Sequence, residues 1–129
     1  MVKNLFVNLP IKNLEKTVHF FTQLGFTFNP QFSDESSTCM IISESIFAML
    51  LEEDKFKTFT TKDICDSGRQ TEVLLALQAE SREEVDAMVS KALEEGGSAH
   101  MPAQDHGFMY SRSFQDLDGH VWEVFYMES

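Results

Sequence analysis

The residues of this chain best equipped for chemistry gather in its last third. There Asp105-His106-Gly107-Phe108-Met109-Tyr110-Ser111-Arg112-Ser113-Phe114 precedes Asp116-Leu117-Asp118-Gly119-His120-Val121-Trp122-Glu123-Val124-Phe125. The stretch reads as two strands joined by a tight turn at Asp118-Gly119, with one carboxylate, Glu123, inside an apolar and aromatic run. A buried, unpaired carboxylate is costly, so Glu123 is expected to face solvent, an arginine, or a cavity that holds a metal or ligand. A second carboxylate, Glu72, opens a strand-like run that extends to Leu77. Glutamates in such settings act as general bases or as metal ligands.

Alternation along each strand assigns the faces. Val121, Glu123 and Phe125 share one side of the last strand, and Trp122, Val124 and Tyr126 share the other; Glu72, Leu74 and Ala76 oppose Val73, Leu75 and Leu77. If the wholly apolar faces meet helices, both glutamates point into one concavity. Tyr110, Arg112 and Phe114 also share a face, which offers Arg112 as a counter-charge to Glu123 or as a bidentate anchor for an anionic substrate. The structural alternative is a charge cluster of Glu72, Glu123 and Arg112 with no chemistry. For His106, the choice is between a ligand or proton-transfer role and the shaping of a turn beside Gly107.

The elements that must carry these residues come as a duplication. Leu5, Val7 and Leu9 alternate with Phe6 and Asn8 in a strand closed by Pro10, and Asn13 caps a helix whose apolar face holds Leu14, Val18 and Phe21 and which stops at Gly25. Three strands are expected next, over residues 26–28, 38–42 and 46–51. The second half repeats the order: a strand over 72–77, a capping box at Ser81-Arg82-Glu83-Glu84, a helix with Val85, Met88, Val89 and Ala92 on one face, and strands over 98–101, 109–114 and 120–126. The expected fold class is α+β, a single domain over 1–129. Its modules span about 1–52 and about 72–129, and a connector over about 53–71 carries one or two short helical turns and forms either a cavity rim or a plain cover.

Composition removes several classes of function. The chain has 129 residues, 43% of them hydrophobic and 24% charged, as in an ordinary globular domain, and no apolar run approaches the roughly 20 residues of a membrane span. A net charge of -11 argues against nucleic acid, whose binding rests on cations meeting phosphates. The first residues lack the apolar core of a signal peptide, and Cys39 and Cys65 lack metal-type spacing and read as free thiols, so a cytoplasmic protein is expected.

Taken together, Phe6-Val7-Asn8-Leu9-Pro10-Ile11-Lys12-Asn13-Leu14-Glu15-Lys16, Phe20-Phe21, Leu24-Gly25-Phe26, Glu72-Val73-Leu74-Leu75-Ala76-Leu77, Asp105-His106-Gly107-Phe108-Met109-Tyr110 and Asp118-Gly119-His120-Val121-Trp122-Glu123-Val124 resemble the vicinal-oxygen-chelate superfamily. This group includes glyoxalase I, bleomycin-resistance proteins and extradiol dioxygenases, and the chain is most similar to its lactoylglutathione lyase-like branch. The resemblance spans essentially the whole chain. It implies two βαβββ modules whose curved sheets face a shared cavity with helices outside, often in a homodimer, and a divalent metal held by one residue from the first and last strand of each module.

Those positions fall on Phe6, Met49, Glu72 and Glu123, of which only the two glutamates can bind a metal, so the ligand set is incomplete. Asn8, two residues along on the same face as Phe6, could add an oxygen, and His106 could swing in from its loop, although neither sits on a ligand position. Two functions follow. One is a metal-dependent lyase or isomerase acting on a vicinal-oxygen substrate, with Glu72 or Glu123 as metal ligand and base. The other is a protein of the bleomycin-resistance type that sequesters a small aromatic or cationic compound without chemistry. In both, Phe6, Asn8, Met49, His106, Tyr110, Arg112 and Phe125 are the expected substrate-binding residues.

Overall fold

Leu9 and Ile11 are buried and Phe6 and Asn8 are exposed along the first strand, the alternation that period-2 patterning demands of a sheet with one covered face. In the computed structural model, which describes residues 1–128, this strand is β1 (Leu5–Ile11), followed by α1 (Leu14–Gln23), β2 (Thr27–Asn29), β3 (Ser37–Ile41) and β4 (Ile46–Glu52). The sheet runs β1-β4-β3-β2, with β1 and β4 parallel. A parallel pair needs a long crossover, and α1 with β2 and β3 supplies it.

Two side chains start α1. The Asn13 side-chain oxygen accepts the Lys16 amide at 2.9 Å, and Glu52 Oε2 accepts the Leu14 amide at 3.0 Å. The helix buries Thr17, Phe20 and Phe21, while the sheet contributes Leu9, Met40, Ala48 and Leu50 to the same core. Each fully buried phenylalanine contributes about 1.5–3 kcal/mol of transfer free energy. Gly25, at φ 103°, takes the left-handed turn that ends the helix.

The expected connector contains a four-residue helix, α2 (Glu53–Phe56), and a 3-10 turn over Lys57–Phe59. Within it the chain divides into two compact units, Met1–Ile64 and a second that begins at Cys65.

The second unit holds β5 (Leu74–Gln78), α3 (Arg82–Glu94), β6 (Ser98–Ala99), β7 (Gln104–Asp105), β8 (Met109–Gln115) and β9 (Val121–Met127). The sheet runs β5-β9-β8-β6, with β7 also on β8, and β5 lies parallel to β9 as β1 does to β4. The α+β class and the βαβββ order are therefore as expected in both halves. The strand expected over 98–101 is broken into β6 and β7; Pro102, without an N–H to donate, stands between them.

Helix α3 buries Val85, Val89 and Ala92 and packs on β8 and β9, whose Phe114, Trp122 and Val124 are buried. At its start Ser81 Oγ accepts the Glu84 amide at 3.1 Å, as the capping box requires. The returning Glu84 carboxylate takes the Glu80 amide at 3.2 Å, one residue earlier than the motif predicts. Among the described residues no helix is long and apolar enough to cross a membrane.

Candidate functional site

With α3 covering Trp122 and Val124, alternation turns Val121, Glu123 and Phe125 to the opposite face of the second unit's sheet, which is closed over Val121 and Ser113 and open along Leu74, Ala76 and Gln78. Register fixes the neighbours of Glu123 as Ala76 on β5 and Ser113 on β8. Both are small. The half-buried carboxylate therefore stands above a low floor, and among the described residues it makes no hydrogen bond or ion pair. The Ser113 hydroxyl accepts the Met101 amide at 3.2 Å, which leaves its own hydrogen to donate.

The same rule brings other polar groups to this face. Phe125 is flanked by Gln78 and Ser111, Ser111 is paired with Gln104, and Val121 is flanked by Leu74 and Gln115. His106 Nε2 lies 3.4 Å from Gln104 Oε1, so the histidine reaches toward this side from the β7–β8 turn. Gln104, Ser111, Ser113 and Ala76 had not been singled out from sequence. Period-2 alternation gives a face to each residue within a strand, but which residues meet across strands depends on register, which the sequence does not display.

Arg112 and Tyr110 are on the other face. Arg112 is paired with Val124 and Tyr110 with Tyr126, on the side covered by α3, so the expected pairing of Arg112 with Glu123 is not made. Arg112 instead meets Asp86 of α3 at 3.1 Å, and the Tyr110 hydroxyl donates to the same carboxylate at 2.6 Å. The Tyr110 bond, then the Arg112 bond and charge, hold the Asp86 carboxyl below its ordinary range, while the Asp86 bond raises the phenol.

One helical turn away, Arg82 grips Asp105 through two bonds of 2.9 and 3.1 Å, donates to the Gly107 carbonyl at 2.8 Å, and lies 5.1 Å from the centre of the Tyr110 ring. The Arg82 bonds, with the Gly107 amide, hold the Asp105 carboxyl down to about 2. Arg82 and Asp86, four residues apart on the helix, thus fasten β7, β8 and the turn that carries His106.

Glu72 does not begin a strand. It lies in a bend two residues before β5, exposed, with its carboxylate 3.9 Å from Cys65 Sγ. Internal register explains the displacement. Asn8 is paired with Met49 and stands five residues before the cap Asn13; Ala76 is paired with Glu123 and stands five before the cap Ser81. Asn8 therefore corresponds to Ala76, Met49 to Glu123, and Phe6 to Leu74, not to Glu72. Of the two carboxylates, Glu123 alone keeps the module-equivalent position.

In the first unit Phe6, Asn8 and Met49 do share the face turned away from α1. Phe6 stacks on Phe47 with ring centres 4.8 Å apart, Asn8 adjoins Met49, and the Asn8 side-chain Nδ2 donates to the Phe6 carbonyl at 3.3 Å. This face pairs aromatic rings with one amide, where that of the second unit mixes aliphatic residues with a carboxylate, amides and hydroxyls.

The Asp118-Gly119 turn is built from within. Asp116 Oδ1 accepts the amides of Asp118 and His120, both at 3.0 Å, and Oδ2 accepts the Trp122 indole N–H at 2.9 Å. Burial raises this carboxyl, against the opposing pull of the His120 charge and the Trp122 bond. Gly119, at φ 87°, passes so close to the Ser67 carbonyl that a Cβ would collide with it, and the Ser67 hydroxyl donates to the Asp118 carbonyl at 2.6 Å.

A divalent metal is the group the fold implies, and a protein-held ion normally needs three or more ligands of the His, Cys, Asp and Glu type. Among the described residues no three such side chains come together as a metal site, and Phe6, Met49 and Leu74 offer no oxygen or nitrogen at positions corresponding to strand ligands. The donor set does not fit. The surface depressions around Glu52–Lys55 and around Asp66, Arg69 and Gln70 contain none of the candidate residues.

Solved structures with the same fold are numerous. A hypothetical protein of S. aureus is 26% identical with a TM-score of 0.83, over 98% of this chain and 94% of that one. A glyoxalase/bleomycin resistance protein/dioxygenase family enzyme from Burkholderia phytofirmans is 13% identical with a TM-score of 0.80, over 95% and 96%. The fosfomycin resistance protein FosX of Listeria monocytogenes is 22% identical with a TM-score of 0.68, over 100% and 94%. No curated protein sequence matches the chain. The family profile described as Glyoxalase/Bleomycin resistance protein/Dioxygenase superfamily matches residues 5–124, nearly the whole βαβββ pair from β1 into β9, and the chain belongs to that superfamily.

Proposed function

We propose that this protein binds a small organic molecule, without a protein-held metal, on the open face of the sheet that carries Glu123. One observation carries the reading: a half-buried carboxylate with no partner among the described residues, set between the small side chains of Ala76 and Ser113. An ionised group kept from solvent on a folded surface without a counter-charge is costly, and a ligand that completes it offsets that cost. Glu123 and Phe125 are the principal contacts in this reading, with His106 at the margin; Arg112 and Tyr110 fasten the helix. A cytoplasmic setting, in keeping with the free thiols Cys39 and Cys65, and a homodimer, to be read by sedimentation, belong to the same proposal.

The test is ligand-induced stabilisation across a panel of small cationic, neutral and anionic compounds, fosfomycin among them, with amide shifts mapped by NMR. Binders are expected to shift the amides of residues 74–78, 111–113 and 121–125. A panel in which no compound shifts these amides overturns the reading.

The same unpaired carboxylate is what a general base needs, which supports a second reading as a lactoylglutathione lyase-like enzyme in which Glu123 takes a proton from carbon. Turnover of hemithioacetals by the nickel-, cobalt-, zinc- or manganese-treated protein, lost in Glu123→Gln, would establish it over simple binding.

A further inference from the structure

We infer that the molecule bound beside Glu123 is an organic cation that presents N–H groups, such as a primary ammonium or an amidinium, and not an anion or a quaternary ammonium. The inference rests on the binding function proposed above and deepens it. Its first support is charge. The strand positions of the open face are Leu74, Ala76 and Gln78 on β5, Val121, Glu123, Phe125 and Met127 on β9, alternate residues of β8 from Met109 to Gln115, and Ser98 and Gln104 on β6 and β7. Glu123 is the single charged residue among them. The arginines of α3 and β8 are committed to Asp105 and Asp86 on the opposite side. Among these strand positions an anion finds no cation, with the basic side chain of His106 only at the margin, in a protein whose net charge is already -11.

The second support is the kind of neighbour the carboxylate has. Quaternary ammonium groups are held by several aromatic rings around the cation. Here Phe125 is the one aromatic residue at the strand positions of the face. Beside the aliphatic positions, the neutral polar ones are amides and hydroxyls, Gln78, Gln104, Gln115, Ser98, Ser111 and Ser113, whose oxygens accept hydrogen bonds. Gln104 lies two strands from Phe125, about 10 Å by strand spacing, within the span of a small ligand. Acceptors around a carboxylate suit N–H donors, and a charge-assisted N–H···O bond is stronger than a neutral one.

A matched series on one ring tests this: benzylamine, benzamidine, benzyltrimethylammonium, benzyl alcohol and benzoate, titrated calorimetrically into the full chain. Benzylamine and benzamidine are expected to bind at least about tenfold more tightly than the other three, and Glu123→Gln to weaken benzamidine by about tenfold, more than it weakens benzyl alcohol. In the wild-type protein benzamidine should shift the amides of residues 74–78, 111–113 and 121–125, a readout independent of how the variant folds. Equal affinity for the quaternary compound, tighter binding of benzoate, or shifts confined to other residues would overturn the inference. If no member of the series binds but compounds of the broader panel shift the same amides, the cation inference falls and the binding function stands; if nothing binds in either, both fall.

Discussion

Arg112 and Glu123 stand on adjacent strands of one sheet and point to opposite sides of it, because β8 and β9 are paired so that Arg112 meets Val124 and Ser113 meets Glu123. A one-residue change of register would have made them an ion pair. As built, the arginine belongs to the helix side, and among the described residues the glutamate carboxylate has no partner.

Replacing Arg112 should therefore disturb the helix contact and spare the open face. The Arg112–Asp86 pair is partly exposed, with side chains 27% and 51% accessible, so a double-mutant cycle of Arg112→Ala and Asp86→Ala is expected to give a coupling of at most about 1 kcal/mol. Benzamidine affinity should change less than about twofold, since no bond on the Glu123 face is lost. A drop comparable to that of Glu123→Gln would return Arg112 to the binding site.

The Arg82–Asp105 contact has a pH signature. Asp105 titrates at about 2 in the folded chain against an ordinary 3.8, so its stabilising contribution is present above about 3.8 and is lost as pH falls toward 2. NMR titration of the Asp105 carboxyl should give a midpoint near 2 and, in Arg82→Gln, one displaced toward 3.8. The Gly107 amide should exchange faster in the variant, because its turn loses the grip of the guanidinium on Asp105 and the Gly107 carbonyl. A wild-type midpoint near the ordinary value would contradict the geometry.

How far the sequence disclosed these relations depends on their range. The helix caps at Asn13 and Ser81, the glycine stops, and the Asp118-Gly119 turn were legible because they are set by contacts within a few residues. The faces of Phe6, Asn8, Glu123 and Phe125 were legible because alternation is a property of one strand. The partners of Arg112 and Tyr110 were not, since Asp86 lies 26 and 24 residues away and is selected by how α3 seats on β8. Glu72 misled for a related reason: it has the right parity for the face, yet the chain enters the strand only at Leu74. The caps, counted against the register of β5 and β9, identify Ala76 as the neighbour of Glu123.

Asp116 allows a test of the turn itself. Both of its oxygens accept, one from two backbone amides and the other from the Trp122 indole. Asp116→Asn must place an NH2 where an acceptor is needed, so a donor faces a donor in either orientation. With the residue buried, the cost should be about 2 kcal/mol, read as a lower urea midpoint with unchanged slope. The indole fluorescence should change as well when the Asn oxygen stays with the two backbone amides, because Trp122 then faces the NH2. An unaltered midpoint would mean that the turn is held by its backbone bonds alone.

Ala76 is the residue whose enlargement should separate binding from folding. It is exposed on β5, beside Glu123 and opposite in sense to the half-buried Leu75 and Leu77, so no packed core surrounds its methyl group. A leucine there fits a strand, and at a site with open space above it the stability should stay within about 0.5 kcal/mol of wild type. The added isobutyl group would occupy the floor beside the carboxylate and keep a cationic head from reaching Glu123. Ala76→Leu is therefore expected to retain the wild-type thermal midpoint while benzamidine affinity falls by about tenfold, a loss of the same order as removing one charge-assisted contact. Affinity that survives the substitution would move the ligand away from Glu123, however well the protein folds.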